Sequence, residues 1–307
     1  MSLFDCDELL AKLKLRGMIP VAAGSWTDAR FFEAMSDEAE DIHLPLLINA
    51  RGEYLVKTQD IPFVANQASY RPNSRIASIR QISILRADGT EYPIDELTPP
   101  QKTALTLSPT RVGQPTFYTH ENNVITLWPV PGAAGDSLRV RYHHQMSRMA
   151  AAADSTIISA ITPDPDPTKL TAFTVGALPS TLNGATQVDI VRAVPNFDLM
   201  GFDLTTSATL TTGGSTVSIL TSSLPADIAI GDRICPVRTT PFPMMPKELH
   251  LCAGLRAAAA AVGSKGDAVR QQALLQEAQA KEASLLRGIL APRSKGNTIR
   301  LVNRRWR

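Results

Sequence analysis

The sequence predicts an α+β protein in which helices at the two ends of the chain flank a long β-rich middle. Apolar residues recur near the 3.6-residue helical period in residues 1–52 and 241–292. Residues 53–149 show a period of two, and residues 150–240 are rich in Thr, Ser, Val and Ile between turn-forming residues. We therefore expect an α-helical bundle body, an antiparallel β-sheet domain, an inserted small β module and, over residues 293–307, an extended C-terminal arm.

The N-terminal part is predicted to form two helices. Cys6 and several leucines place an apolar stripe on a short helix that ends near Gly17. A second helix is expected from Ser25, which resembles a capping box with Asp28, and Leu44-Pro45-Leu46 is expected to interrupt it. Its buried face would consist of apolar residues about one turn apart: Phe31, Met35, Ala39 and Ile42.

One β-hairpin is predicted in the sheet domain, where residues 75–85 and 91–94 flank an Ala-Asp-Gly-Thr turn. Strands at residues 117–118 and 124–128 are expected next, with a turn between them at 121–123.

The partner strand of residues 124–128 is expected at residues 138–142, which read Leu-Arg-Val-Arg-Tyr, so that one side is buried and the other faces solvent. We expect all of these strands to form one antiparallel sheet. Residues 95–97 and 100–105 are predicted to form a short helical turn.

The inserted module is expected to begin with an extended linker over residues 148–167, because a run of alanines is followed there by Asp-Pro repeats. Beyond the linker, five short strands are predicted, at residues 170–175, 187–194, 201–210, 215–220 and 233–237.

A helical pair is predicted to follow the module. Pro246 suits the first position of a helix over residues 247–262, and Asp267 can cap a second helix that Pro292 ends. The first helix has a small surface that can approach another backbone, either in the core or in a neighbouring subunit. The residues that form this subunit-packing surface are Ala257, Ala258, Ala260 and Ala261.

The arm over residues 293–307 carries six cations and no acid. A solvated terminus, contact with nucleic-acid phosphates and docking on a protein partner are all open to such a segment. Docking is favoured because Thr298-Ile299-Arg300-Leu301-Val302 alternates like a strand, and phosphate binding has no need of its apolar residues or of Trp306. The other cations next to this strand are Arg304, Arg305 and Arg307.

The composition excludes several classes of protein. A chain of 307 residues that is 44% hydrophobic and 20% charged is typical of globular proteins. The net charge is +2, and removing the six cations of the arm leaves −4 for the first 292 residues, so the body is not a general nucleic-acid binder.

The cysteines and the N-terminus indicate a cytoplasm-like compartment. Cys6, Cys235 and Cys252 are far apart and lack metal-ligand spacing, so reduced, buried thiols are expected. The first residues are acidic where a secretory signal would be basic, and no apolar run approaches the ~18 residues that a membrane span needs.

Catalytic motifs are absent from the sequence. There is no GxSxG, GxxxxGK[ST], HExxH or GxGxxG pattern, and the five histidines lack ligand spacing, so we expect no enzyme, no metal and no cofactor. His143 and His144 would point to opposite faces of a strand and are predicted to lie at a rim or interface. Trp128 is a candidate interface anchor.

Two stretches carry a resemblance to a known family. One runs from Asn123-Val124-Ile125-Thr126-Leu127-Trp128-Pro129-Val130-Pro131 to Leu138-Arg139-Val140-Arg141-Tyr142. The other leads from Gly231-Asp232-Arg233-Ile234-Cys235 through Pro241, Pro243 and Pro246 into Glu248-Leu249-His250. With the helical N-terminus, they resemble the head-to-tail adaptor proteins of tailed bacteriophages, also called connector, gateway, tail accessory or tail tubular A proteins.

The resemblance implies a structural virion protein made in the host cytoplasm. Adaptors of this type form a ring, twelve-fold in similar proteins, between the portal protein and the tail tube or nozzle protein. Their helices line an axial channel that passes genomic DNA, and a C-terminal tail reaches between portal subunits. Two alternatives from other classes stay open: a cell-wall-degrading hydrolase and a carbohydrate-binding accessory protein of the virion.

Overall fold

The computed structural model describes residues 5–15, 26–50, 54–98, 101, 111–164, 166, 168–192, 198–225 and 227–290. The chain has two compact units. Met1–Ala50 and Met146–Arg307 form the first, which we call the helix–barrel unit, and Arg51–Gln145 form the second, which we call the sheet unit. The protein mixes α and β structure with several antiparallel sheets, which confirms the coarse α+β prediction.

The described helices lie in the helix–barrel unit: α1 (Cys6–Leu15), α2 (Asp28–Glu38), α3 (Leu44–Ala50), α4 (Lys247–Gly263) and α5 (Ala268–Leu290). Helix α4 packs against α1, α2 and α5. The approach to α1 is close, since a Cβ on Gly254 would lie 2.6 Å from Leu13 Cδ1. The apolar stripe predicted for α1 is confirmed, because its members from Cys6 to Leu13 are buried.

The start and the continuation of α2 differ from the prediction. Thr27 caps the helix, with its Oγ1 accepting a hydrogen bond from the Arg30 N–H at 3.3 Å, whereas Ser25 lies outside the described residues. The expected interruption at Leu44-Pro45-Leu46 is wrong. A π-helical turn, Ala39–His43, joins α2 to α3, and the Leu44 N–H bonds to the Ala39 carbonyl. The wider turn stands just before Pro45, which has no N–H to donate, so the chain stays helical.

The sheet unit contains the strands β1 (Val56–Pro62), β2 (Ser69–Tyr70), β3 (Ile76–Leu85), β4 (Glu91–Pro93), β5 (Asp95–Glu96), β6 (Val112–Gly113), β7 (Phe117–Glu121), β8 (Val124–Trp128), β9 (Val130–Pro131) and β10 (Ser137–His144). They form one sheet in the order β1-β10-β3-β4, a second in the order β2-β8-β7-β5, and the pair β6-β9. Apolar residues of both four-stranded sheets share one core.

The predicted hairpin is confirmed, and the strands on either side of the turn predicted at residues 121–123 pair with each other. Strands β3 and β4 pair with Ser83 opposite Pro93, and β7 and β8 are joined by Asn122 and Asn123, whose φ angles of 51° and 57° suit a tight two-residue turn.

The predictions of one sheet and of a pairing between residues 124–128 and 138–142 are wrong, because β8 pairs with β7 and β2 while β10 pairs with β1 and β3. The alternation of side chains reveals a strand but not its partner, and two prolines and two glycines between β8 and β10 redirect the chain. The helical turn predicted at residues 95–97 and 100–105 is wrong in its first part, and its second part lies outside the described residues apart from Gln101. Asp95–Glu96 is strand β5, which pairs in parallel with Phe117 and Tyr118, and the Leu97 N–H extends that pairing to the Tyr118 carbonyl at 2.8 Å.

Strand β10 has the two-sided character that its sequence predicted. Leu138, Val140 and Tyr142 are buried, and Arg139 and Arg141 lie on the opposite face. Arg139 binds Asp60 of β1 through Nε and Nη2 at 2.7 and 2.8 Å, and both arginines reach Glu91 of β4. The solvent-facing side of this sheet therefore carries a row of ion pairs that connects β1, β10 and β4.

The remaining strands lie in the helix–barrel unit: β11 (Arg148–Met149), β12 (Thr156–Thr162), β13 (Leu170–Val175), β14 (Gln187–Arg192), β15 (Asp198–Thr205), β16 (Thr216–Leu220), β17 (Arg233–Pro236) and β18 (Thr239–Thr240). Six of them are ordered β15-β14-β17-β12-β13-β16, and a bridge between Thr206 and Ile219 joins the two ends of this order. The sheet thus curls into a small barrel around an apolar core that includes Phe173, Val188 and Val217. A strand is present at each of the five positions predicted beyond the linker, but β15 begins and ends earlier than the predicted residues 201–210.

The predicted extended linker over residues 148–167 is wrong in its first part, because β11 and β12 both lie within it. The alanine run between them is only a turn, and Thr156-Ile157-Ile158 supplies the β-branched residues of β12. The Ala152 N–H binds Asp7 Oδ2 of α1 at 2.7 Å, which ties the start of the barrel to the helices.

The buried side chain of Asp189 stabilises two backbone turns of the barrel. Asp189 accepts hydrogen bonds from the N–H groups of Asp203 and Arg238, both at 2.9 Å. Those two residues have φ angles of 52° and 63°, a region that non-glycine residues adopt only with support. Asp189 is fully buried, so these two bonds take the place of the hydrogen bonds that its carboxyl group would make with water.

The predicted C-terminal helical pair is present. Helix α4 begins at Lys247 with Pro246 immediately before it, one position earlier than the prediction placed that proline. Asp267 caps α5 as predicted, with its Oδ1 accepting a hydrogen bond from the Arg270 N–H at 3.0 Å.

Candidate functional site

The arm predicted to dock on a partner lies outside the described residues. This applies to all eight of its named positions: Ile299, Arg300, Leu301, Val302, Arg304, Arg305, Trp306 and Arg307. Their role stays a prediction.

The alanines predicted to pack against a neighbouring subunit lie mostly inside their own chain. Ala257, Ala258 and Ala261 are buried, and Ala260 is exposed. The small surface of α4 lets α1, α2 and α5 approach it closely. Subunit packing by this helix stays a prediction, and within one chain Ala260 is the member of the set that a neighbour can reach.

The predicted interface residues of the sheet unit occupy different depths. His143 and His144 are both buried, and His143 Nδ1 lies 3.0 Å from the Tyr54 carbonyl oxygen. Burial, with a smaller effect of the Arg75 charge, lowers the pKa of His144 to about 4, so this imidazole is neutral at pH 7. Trp128 is half-buried. Their interface role stays a prediction.

A buried ion cluster connects three helical segments, and the sequence did not reveal it. Arg256 of α4 binds Glu282 of α5 through Nε and Nη2 at 2.7 and 2.8 Å. His43, in the π-helical turn, places its Nε2 3.1 Å from Glu282 Oε1, and Glu38 of α2 lies 3.8 Å from Arg256 Nη1. The one available signal was that Glu282 follows the apolar Ala278 by four residues, which places both on the same side of the helix.

The two carboxylates of this cluster have opposite pKa shifts. Burial alone would raise the pKa of Glu282, but bonds from Arg256 and His43 outweigh burial and hold that pKa at about 2. Burial raises the pKa of Glu38, and the Arg256 and His43 charges only partly oppose it. Glu282 is therefore the permanent anion that holds the segments together.

A cleft of about 370 Å³ opens in the sheet unit where β1 and β3 end. Phe63, Pro115 and Pro131 supply its apolar walls, and Arg86 and Asp136 supply its charged groups. Asp136 Oδ1 accepts a hydrogen bond from the Ala87 N–H at 3.2 Å, which fixes that wall. Such a cleft suits one large side chain of a protein partner.

Other expectations concern thiols, metals and membranes. The three cysteines are buried and free of disulfide bonds, as predicted. Across the described ranges, no group of three or more His, Cys, Asp or Glu residues is placed to hold a metal ion. None of the described helices has both the length and the apolar character that a membrane crossing requires.

Comparison with known proteins identifies the family. No curated protein matches this chain. The family model described as SU10 adaptor protein matches residues 5–178, which is more than half of the chain. The match runs from α1 through the sheet unit into the barrel, and it confirms the resemblance to phage head-to-tail adaptors. The chain belongs to the SU10 adaptor protein family.

Proposed function

We propose that this protein is a ring-forming adaptor of the virion, present in about twelve copies between the portal vertex and the tail. Membership of an adaptor family implies a structural, non-enzymatic role and contacts with portal and tail proteins. The family match over residues 5–178 is the observation that carries the proposal. In the assembled ring, an axial channel passes the genomic DNA during ejection.

The helices at both ends of the chain form the bundle body of each subunit in this proposal. Helix α4 is largely enclosed by its own chain, so a neighbour would meet the outer side of α5 as well as Ala260. Between Val269 and Ala280, that side of α5 is exposed and carries no charge at Val269, Ala273, Gln276 and Ala280. Exposed helix surfaces ordinarily carry charges, and an uncharged, small-surfaced side favours close packing of a second helix.

The arm over residues 293–307 docks on portal subunits in this proposal. Its alternation of Ile299, Arg300 and Leu301 suits pairing with an exposed strand edge, and Trp306 suits a pocket. Its cations would add contacts with passing DNA.

The sheet domain, residues 53–149, would meet the tail tube or nozzle protein, with Trp128, His143 and His144 as its interface candidates. The barrel, within residues 150–240, is the inserted module.

Portal attachment of the arm can be tested with full-length variants mixed with the portal protein of the same phage. Leu301→Asp with Trp306→Ala should abolish co-sedimentation with portal and leave the thermal unfolding unchanged. The matched variant Arg304→Ser with Arg305→Ser should weaken attachment only in a salt-dependent way. Unchanged attachment of the first variant would refute docking by the apolar residues of the arm.

A further inference from the structure

Strand β1 presents an open edge in the sheet unit. The His144 N–H bonds to the Leu55 carbonyl at 2.8 Å, and the Phe63 N–H bonds to the Asp136 carbonyl at 2.9 Å, which fixes the hydrogen-bonding phase of the β1–β10 pair. In that phase, the odd-numbered residues of β1 face β10. The N–H groups of Val56, Thr58 and Asp60 point to the other side, where no strand of the described chain pairs with β1.

The edge is long and regular. It pairs with β10 over seven residues without a bulge, which corresponds to about 23 Å. A straight edge of this length is a template for another extended segment. Ile61 is only partly buried against the core of the unit, so a strand added beside β1 would complete its burial.

The cleft lies at the C-terminal end of the same strand. Phe63 follows β1 directly and lines the cleft of about 370 Å³. A segment that runs parallel to β1 therefore leads from the open edge towards a cleft with room for one large aromatic side chain. Edge and cleft together fit an extended peptide with an aromatic residue a few positions after the strand.

We propose that this surface binds residues 298–306 of a second copy of this chain when no portal is present. Strand β1 already pairs with Leu138-Arg139-Val140-Arg141-Tyr142 on its closed side. Thr298-Ile299-Arg300-Leu301-Val302 shares with it one arginine flanked by apolar residues, Ile299 and Leu301, although Val302 stands where a second arginine would fall. In a strand added at the open edge, Arg300 would lie next to Asp60 on the solvent-facing side of the sheet. Ile299 and Leu301 would then cover Ile61 on the side that faces the core.

The position of the aromatic residue also fits. Trp306 follows Val302 by four residues, and a parallel strand beside β1 would deliver it to the cleft. The same arm is proposed above to dock on the portal, so the two contacts are alternatives. Binding between copies does not depend on portal docking, and its test contains no portal.

The test uses a fluorescent peptide of residues 293–307 and, as receptor, the full-length chain carrying Leu301→Asp and Trp306→Ala, whose own arm cannot compete. Anisotropy should show saturable binding. Thr58→Pro removes one outward N–H and should weaken binding at least about tenfold, whereas Thr58→Ala keeps that N–H and should bind like the parent. Ala133→Trp, which fills the cleft, should weaken binding to a similar extent.

Peptide variants separate this contact from simple charge attraction. A peptide with Trp306→Ala should bind at least about tenfold more weakly, and a scrambled peptide of equal charge should not saturate. Absence of saturable binding, or equal binding of the scrambled peptide, would overturn the proposal. If circular dichroism shows that Thr58→Pro is unfolded, Ala133→Trp and the peptide variants decide. Full binding of both the parent peptide and the Trp306→Ala peptide to Ala133→Trp would then also overturn the proposal.

Discussion

Replacing Glu282 by Gln tests whether the buried ion cluster holds the helices of this adaptor together. The side chains of Glu282 and Arg256 are only 8% and 12% exposed, so Gln would leave the guanidinium without its buried anion. Loss of one member of a buried pair costs about 3–5 kcal/mol. The pKa gives a similar figure: a fall from 4.5 to about 2 on folding corresponds to about 3 kcal/mol at pH 7.

The contribution of Glu282 has a defined pH dependence. Because folding lowers its pKa, the stabilisation is present above pH 4.5 and is lost as the pH falls towards 2. The difference in free energy of unfolding between parent and variant should therefore shrink from about 3 kcal/mol at pH 7 to about 1.4 kcal/mol at pH 3. Urea unfolding at the two pH values measures both differences.

Glu277→Gln is the matched control on the same helix. Glu277 pairs with Lys281 at 2.5 Å, but both side chains are more than a third exposed, so this change should cost at most about 0.5 kcal/mol. Equal effects of the two substitutions, or an effect of Glu282→Gln that is the same at pH 3 and pH 7, would refute the reasoning.

Three further predictions concern packing and assembly. Asp189→Ala should lower the free energy of unfolding by about 2–3 kcal/mol in urea titrations, because the N–H groups of two residues at positive φ lose their buried acceptor; an unchanged midpoint would contradict this account. Ala257→Leu should overpack α4 and cost about 1–3 kcal/mol, whereas Ala260→Leu, at an exposed position of the same helix, should leave thermal unfolding unchanged. Ala273→Glu with Ala280→Glu should reduce the amount of ring seen by analytical ultracentrifugation in the presence of portal without changing the melting temperature, and rings of parental yield would exclude that side of α5 from the subunit contact.

The sequence predicted those parts of the fold that depend on neighbours along the chain. The stripe from Cys6 to Leu13, the Asp267 cap and the alternation in β10 are local patterns, and each is confirmed. Strand β13 has the bounds that its residues predicted, because Leu170–Val175 alternates between turn-forming residues.

The parts that failed depend on partners far away in sequence. Period-two patterns in β8 and β10 are the same whether the strands pair with each other or belong to different sheets. Pro45 indicated a break, but a π-helical turn carries the helix past it. Glu282 reads as a surface residue of α5 until Arg256 and His43 are brought to it by folding.

The sequence indicated the candidate site only through the residue composition of the arm and of α4. Apolar residues among cations favour a docking role for the arm, which stays a prediction, and the small side chains of α4 indicated a close helix contact. The same small side chains also serve packing within one chain, so they could not distinguish a subunit interface from the core. The cleft and the open edge of β1 leave no pattern in the sequence because they arise from the meeting of separate strands.

Electron microscopy of the full-length chain, alone and mixed with the portal protein of its phage, tests the adaptor function most directly. The account predicts a closed ring of about twelve subunits seated on the portal, with the channels of the two rings coaxial. A chain that stays monomeric with portal present, and that binds no other tail component, would contradict it.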